Sequence, residues 1–336
     1  MSDSPTTTPA NTLTSAATPA RPYTSVVVGT DFTPCSAVAV RQALRIAAWS
    51  AVPLRVVHVI DTTVVIELES ALSAYQRAIR ENLIKDAQKA WSDFAARIEG
   101  AANLPIHVSI NNRIAGILGQ AREHKADLLV MGAFGDRRPD VGFGTVATAC
   151  VRKSMTDVLL VRDTQAGPFR CVVAAVDFSE TSARALARAA MFAARDGAEL
   201  HVLHVFAAPW RLLHAQTPEL LPPVQLEKQY RDALSRRLAE FVGPITEAHK
   251  GLRVRAVCAD LSGHRSGIVE YAKSVSADLI VLGTRGRTNL RDILLGSTAE
   301  RALDESPCSV LAVKPAGFHH PLAAGEDTGG AGGRIQ

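Results

Sequence analysis

Ser25 to Phe32 reads SVVVGTDF, and Cys171 to Phe178 reads CVVAAVDF. A Val-rich run that closes on Asp-Phe, met twice, marks an internal repeat, and a repeat constrains the architecture before any single element is read. Three further pairs keep the same order. Leu54 to Val59 (LRVVHV) answers Leu200 to Val205 (LHVLHV), Ala126 to Gly132 (ADLLVMG) answers Ala277 to Gly283 (ADLIVLG), and Val158 to Val161 (VLLV) answers Val310 to Val313 (VLAV). With TQAGP before Phe169 as the linker, the copies span 22–163 and 169–315.

Within each copy the short apolar runs alternate with longer stretches of helical period, the pattern of β-α-β units on a parallel sheet buried on both faces. The expected fold is α/β: two Rossmann-like, doubly wound domains, each with a five-stranded, mostly parallel sheet. A chain of 336 residues fits two cores better than one. Thr33 followed by Pro34 reads as the start of the first helix, and Ser179 takes that place in copy two. A single apolar stripe is expected from Leu68 and Leu72 through Tyr75, Leu83, Trp91 and Phe94 to Ile98, with a shorter one from Leu226 to Phe241. In such sheets ligands bind beyond the carboxyl ends of the strands, so function is sought where strands one and four end.

Strand four of copy two runs into GTRGRTNLRDILLGST, with Gly283, Gly286 and Gly296 ahead of Ser297 and Thr298. Glycine permits positive φ and close backbone approach, so successive N–H groups can converge on phosphate oxygens. Ser297 with Glu300 makes a capping-box pattern, and a helix N-terminus adds donors and partial positive charge. Arg285, Arg287 and Arg291 enlarge that field. Taken alone, such a loop is equally a plain strand-to-helix connection. Asp177 alone would read as a turn residue, but beside the loop it is a carboxylate able to accept from an adenine amino group.

GTRGRTNLRDILLGST resembles the G-2x-G-9x-G-[S/T] loop of the universal stress protein family, and the resemblance extends over both copies. It implies ATP, with magnesium as its companion ion, as the ligand of copy two. Asp177 would hold adenine and Val205 would lie near the base. Leu282, Gly283, Arg285, Gly286, Gly296, Ser297 and Thr298 would serve the ribose and phosphates. It also implies pairing through the final strands, so that the tandem chain forms an intrachain pseudo-dimer and can associate further as a homo-oligomer.

Copy one departs from the pattern. Gly132, Gly135 and Gly144 leave eight residues between the second and third glycine where copy two has nine, and the interval contains Asp136, Pro139 and Asp140. A lost donor and added negative charge both weaken anion binding. The matching set Asp31, Val59, Gly132, Gly135, Gly144 and Thr145 is therefore the weaker candidate, unless Gly142 shifts the turn and restores the loop.

Other chemistry is set aside on spacing. No G-x-G-x-x-G follows strand one, and no P-loop lysine motif, nucleophile elbow or H-E-x-x-H occurs, so no reaction is named and turnover is expected to be slow ATP hydrolysis at most. His201 and His204 fall on opposite strand faces, His58 and His204 read as packed strand-end residues, and His264 beside Arg265 reads as a loop pair or a crevice contact. Cys35 is read as packing rather than redox chemistry. The five cysteines form no CxxC pair, which fits a reduced cytoplasm. Net charge is only +4 with no basic block, so nucleic acid is not implied, and no apolar run is long enough for a membrane span. Residues 1–21 and 316–336 are expected to be tails. Three readings stay open: a nucleotide-responsive stress-response regulator, a protein-interaction scaffold with a vestigial site, and a slow ATPase.

Overall fold

A computed structural model of the chain describes residues 17–72, 76–135, 142–209, 224–260, 264–286 and 295–318. Copy one runs β1 (Val26–Gly29), α1 (Pro34–Ser50), β2 (Leu54–Asp61), α2 (Thr62–Ala71), α3 (Gln76–Ala95), β3 (Ile106–Asn111), α4 (Arg113–Glu123), β4 (Leu128–Gly132), α5 (Thr145–Lys153) and β5 (Asp157–Val161). Copy two runs β6 (Cys171–Ala175), α6 (Glu180–Asp196), β7 (Glu199–Phe206), α7 (Val224–Ala248), β8 (Arg253–Asp260), α8 (His264–Ser274), β9 (Leu279–Gly283), α9 (Ser297–Glu305) and β10 (Ser309–Val313).

The strands form one ten-stranded sheet in the order β3-β2-β1-β4-β5-β10-β9-β6-β7-β8. Each half is a parallel five-stranded sheet, and the halves meet where β5 and β10 pair antiparallel. Val158 lies opposite Ala312, Leu159 opposite Leu311 and Leu160 opposite Val310, so a local two-fold passes through the Leu159–Leu311 pair. Every residue of β5 and β10 is buried. The final strands are thus the pairing edges that the resemblance implies, and closing them against each other removes two exposed sheet edges.

Alternation along the strands divides the apolar side chains into two layers. Val26, Val28, Leu159 and Leu311 face α1, α3, α6 and α7. Val27, Val158, Val310 and Ala312 face α4, α5, α8 and α9. Both layers run without interruption through the seam, so the expectation of two separate cores gives way to two shared ones. At about 1.5–3 kcal/mol for each fully buried Leu or Val, the seam contributes as a core does and not as a loose domain contact.

Local chemistry sets the helix ends. Thr33 and Ser179 each cap their helix by accepting from the backbone N–H three residues on, and Pro34 occupies the first turn of α1. Gly197 ends α6 at φ 67°, the left-handed conformation that glycine adopts without strain. Asp127 accepts from the Thr24 and Ser25 amides at 2.7 and 2.9 Å, and Asp278 does the same for Arg170 and Cys171 at 2.9 and 3.1 Å. These carboxylates hold strands one and four of each copy in register.

Two periodicity readings need correction. The expected stripe of copy one is divided between α2 and α3, and Leu68 and Leu72 stand 36% and 50% exposed. Burial begins only at Ala87 and Trp91, where the indole donates to the Leu104 carbonyl at 2.8 Å, and Tyr75 lies outside the described residues. In copy two Leu226 is 52% exposed while Leu238 and Phe241 are buried. A stripe shows which face can bury, but only the sheet beneath determines how far it does. At the ends of the fold, Ala17 is buried in the core and the Arg21 carbonyl accepts from Arg188 at 2.6 Å.

A cleft at the carboxyl ends of strands six and nine

Beyond β6 the chain turns sharply. Phe178 adopts φ 63° and Phe32 the matching φ 64°, a conformation uncommon for any residue but glycine and unusual for a bulky one. Each ring rests on the strand-end histidine of its copy, with Phe178–His204 and Phe32–His58 centroids both 4.4 Å apart. Each histidine Nδ1 is in turn 2.9 Å from a backbone carbonyl, Val176 for His204 and Thr30 for His58. The histidines are therefore packed residues that brace a strained turn.

The turn aims a carboxylate. Asp177 Oδ1 accepts from the Ser179 amide at 3.0 Å and the Ser179 hydroxyl at 2.5 Å. Its Oδ2 lies so near Gly286 that a Cβ on that glycine would stand 2.8 Å away. Asp31 repeats this, accepting from the Thr33 amide and hydroxyl at 3.1 and 2.6 Å, with a Cβ on Gly135 falling 3.0 Å from its Oδ2.

The glycine loop leaves β9 at Gly283 and is closed at its base by a hydrogen bond from the Gly296 amide to the Thr284 carbonyl, 2.8 Å. None of Gly283, Gly286 and Gly296 has positive φ, so of the two properties that suit glycine to such a loop, close approach is the one at work. Close approach explains two of them. A Cβ on Gly283 would meet the Thr181 methyl at 2.8 Å, and Gly286 makes room for Asp177. Gly296 is different. It is the N-cap of α9 at φ −68° and ψ 148°, open to any residue, and a Cβ there would meet protein only at an ordinary 3.5 Å. The capping-box reading is corrected too: Ser297 is the first helical residue, no side chain caps α9, and Glu300 reaches across the seam to Arg152 at 2.6 Å. The glycine cap leaves the first amides of α9 facing the cleft with no side chain of the described residues capping them.

Asp177, Val205, Leu282, Gly283, Arg285, Gly286, Gly296, Ser297 and Thr298 all line one cavity of about 300 Å³, although they come from segments far apart in sequence. Ala175, Val176, Ser182, Leu203, Ile268 and Ala299 complete its wall. Sequence reasoning missed these six. Ile268 had a usable signal as an apolar position in the helix after strand three, and Ser182 as the residue capped by Ser179. Arg287, Arg291 and Asp292 lie outside the described residues, as do the side chains of His264 and Arg265.

Copy one keeps the frame and changes the lining. Gly144 caps α5 at φ −68° and its amide donates to the Ala133 carbonyl at 2.8 Å, so the shorter loop closes on the same bond, with Thr145 first in the helix. A Cβ on Gly132 would fall 3.2–3.3 Å from Cys35 and Ser36 of α1, and Val59 crowds Gly116, where a Cβ would meet it at 2.8 Å. Phe134 stands where copy two has Arg285, Phe143 where it has Leu295, and Val146 where it has Thr298. Phe134 is buried with Cys35 and Ala133, and Phe143 packs on them. Arg162 lies over both rings at 6.0 and 5.7 Å and donates to the Gly142 carbonyl at 2.9 Å. Gly142 sits at φ 78°, so tight against α9 that a Cβ would fall 2.4 Å from the Asp304 carbonyl. It serves the contact between copies. Asp136, Pro139 and Asp140 lie outside the described residues. The Cys35 thiol donates to the Val161 carbonyl at 3.4 Å and burial pushes it up, away from the thiolate that redox chemistry needs.

Comparison with known proteins agrees with the tandem α/β fold. A model described as the universal stress protein family matches residues 22–162 and again 168–314. Universal stress protein Rv2623 of Mycobacterium tuberculosis is 28% identical over 288 residues, 82% of this chain and 91% of that one. Universal stress protein MJ0531 of Methanocaldococcus jannaschii is 33% identical over 151 residues, 44% of this chain and 82% of its own. Among solved structures, a universal stress protein from Archaeoglobus fulgidus superposes with a TM-score of 0.60 at 20% identity, covering 86% of this chain and 98% of that one.

Proposed function

The chain belongs to the universal stress protein family, and from that premise we propose that copy two binds an adenine nucleotide, ATP, as a regulatory ligand, while copy one serves as its fixed structural partner. One observation carries this reading. The uncapped start of α9, the Asp177 carboxylate and the apolar patch of Val205, Leu203 and Ile268 converge on a single cavity. Each part suits a different portion of a nucleotide. The helix start offers N–H donors and partial positive charge to phosphates, with the Ser297 and Thr298 hydroxyls beside them. Asp177 is an acceptor for an exocyclic amine, and the apolar wall covers the flat faces of a base. Magnesium would arrive on the phosphates: among the described residues no three His, Cys, Asp or Glu side chains gather as a protein-held ion requires.

Binding rather than turnover is the proposed output, because no general base is paired with a metal carboxylate set in the described wall of the cleft. The readout is the state of the α5–α9 contact, where the helix that would carry the phosphates also bonds copy one through Glu300 and Arg152. The five cysteines, all free, fit a stress-response role in the reducing cytoplasm. Calorimetric titration with ATP tests the proposal. One saturable site per chain, competed by AMP and not by inorganic phosphate, supports it, and no heat at millimolar ATP ends it.

A further inference from the structure

Past the last strand the chain reads Lys314, Pro315, Ala316, Gly317, Phe318. The family match stops at residue 314, so Phe318 lies beyond it. Gly317 sits at φ 62° with nothing within 4 Å of where its Cβ would be, so glycine is required there by backbone conformation alone. The turn it makes folds Phe318 back until only 8% of the residue is exposed, with the Arg285 guanidinium 4.6 Å from the ring centroid. Arg285 lines the nucleotide cleft. The Lys314 ammonium is 5.1 Å from the same ring and donates to the Val151 carbonyl at the end of α5. Copy one has neither partner: Phe134 replaces the arginine, and Ala166 falls where Phe318 would be.

We propose that Phe318 is a positioning residue for the nucleotide cleft, holding Arg285 by cation–π contact so that its charge meets the anionic tail of the ligand. The inference rests on the proposed nucleotide reading of copy two. A guanidinium stacked on a buried ring gives up rotamer freedom before the ligand arrives, so less is lost when it closes on a phosphate. The contact also ties the cleft to the seam, because the ring that orders Arg285 is shared with Lys314, which bonds copy one.

The test compares ligands with and without phosphates on the full chain. In Phe318→Leu, ATP affinity drops by roughly three- to tenfold, the size of a partly desolvated cation–π contact, while adenosine affinity stays as in the original protein. Phe318→Tyr restores ATP binding. Gly317→Val, which keeps the ring but strains the turn that delivers it, reproduces the Leu loss. The double variant Arg285→Met with Phe318→Leu loses no more than Arg285→Met alone. Equal losses for ATP and adenosine, failure of Tyr to rescue, or additive losses in the double variant each overturn the inference while leaving the nucleotide site intact. Absence of ATP binding to the unaltered protein instead overturns the functional reading on which the inference stands.

Discussion

The two clefts of this molecule share a skeleton and differ in their lining. Each has a strained Phe turn, a carboxylate held by the helix cap, a loop closed by one amide–carbonyl bond and a glycine-capped helix. In copy two the space so framed is lined by Arg285, Ser297 and Thr298. In copy one Phe134 and Phe143 gather beside the loop with Arg162 over their rings. The difference teaches that loop length is a poor guide to the geometry of such a loop. The one-residue deletion leaves the closing bond untouched, whereas the exchange of a cation for an aromatic ring changes what the cleft can hold.

The sharpest way to break the comparison is at the two helix caps. Gly296→Val fits the backbone, and among the described residues its Cβ meets only the Thr284 carbonyl at 3.5 Å, yet it projects a branched side chain where phosphate would sit. Titration calorimetry should show ATP affinity falling by about a hundredfold or more, the loss of two or more charge-assisted bonds, with only the small fall in melting temperature that replacing a glycine N-cap brings. Gly144→Val, crowding Phe134, should cost some stability and leave ATP binding alone. A smaller effect is expected at the carboxylates. Asp177→Ala should lower affinity by roughly ten- to a hundredfold, about 1.5–3 kcal/mol for a bond to a charged group, and Asp31→Ala should not. Both remove equivalent bonds to a helix cap, so their shared loss of thermal stability cancels.

A subtler experiment sharpens the contrast by transplanting it. Phe134→Arg, Phe143→Leu and Val146→Thr together give copy one the lining of copy two, and calorimetric stoichiometry should move from one site toward two. A stoichiometry fixed at one would assign the difference to residues 136–141 instead. The smallest expected effect lies at the seam. Burial holds the Lys314 ammonium down to about 7, with Asp157 opposing and Arg285 adding to the shift. Between that value and the ordinary lysine range the unfolded chain binds a proton that the folded chain does not, so stability rises with pH there. Melting temperature should climb modestly between pH 7 and 9, and the climb should flatten in Lys314→Met.

Much of this was legible in the sequence because it was written twice. The four strand pairs gave the parallel halves, and VLLV with VLAV marked the edges that meet at Leu159 and Leu311. Asp177, Gly286 and Gly296 were findable because a carboxylate after strand one and glycines after strand four must converge in this topology. What escaped was context. Phe178 carries no signal of positive φ, since its ring is held there by His204, a residue from another strand. Leu68 and Leu72 have the period of a buried stripe, but α2 presents them to solvent. Ser297 and Glu300 have the spacing of a capping box, yet Ser297 is already inside the helix and Glu300 pairs with Arg152 of the other copy. Phe318 looked like part of a featureless tail, because a single glycine turn and one ring are too few residues to form a pattern.

The antiparallel seam between β5 and β10 bears on how the two halves could drift apart in composition. When like subunits meet by diffusion, a copy that has lost its ligand site pairs with intact and damaged partners alike, and dilution separates them all. Here the nine residues from 162 to 170, between β5 and β6, keep the two halves at an effective concentration on the order of millimolar however scarce the protein becomes. On the proposed function, each chain thereby delivers the aromatic packing of copy one to one nucleotide-binding neighbour in a fixed one-to-one ratio.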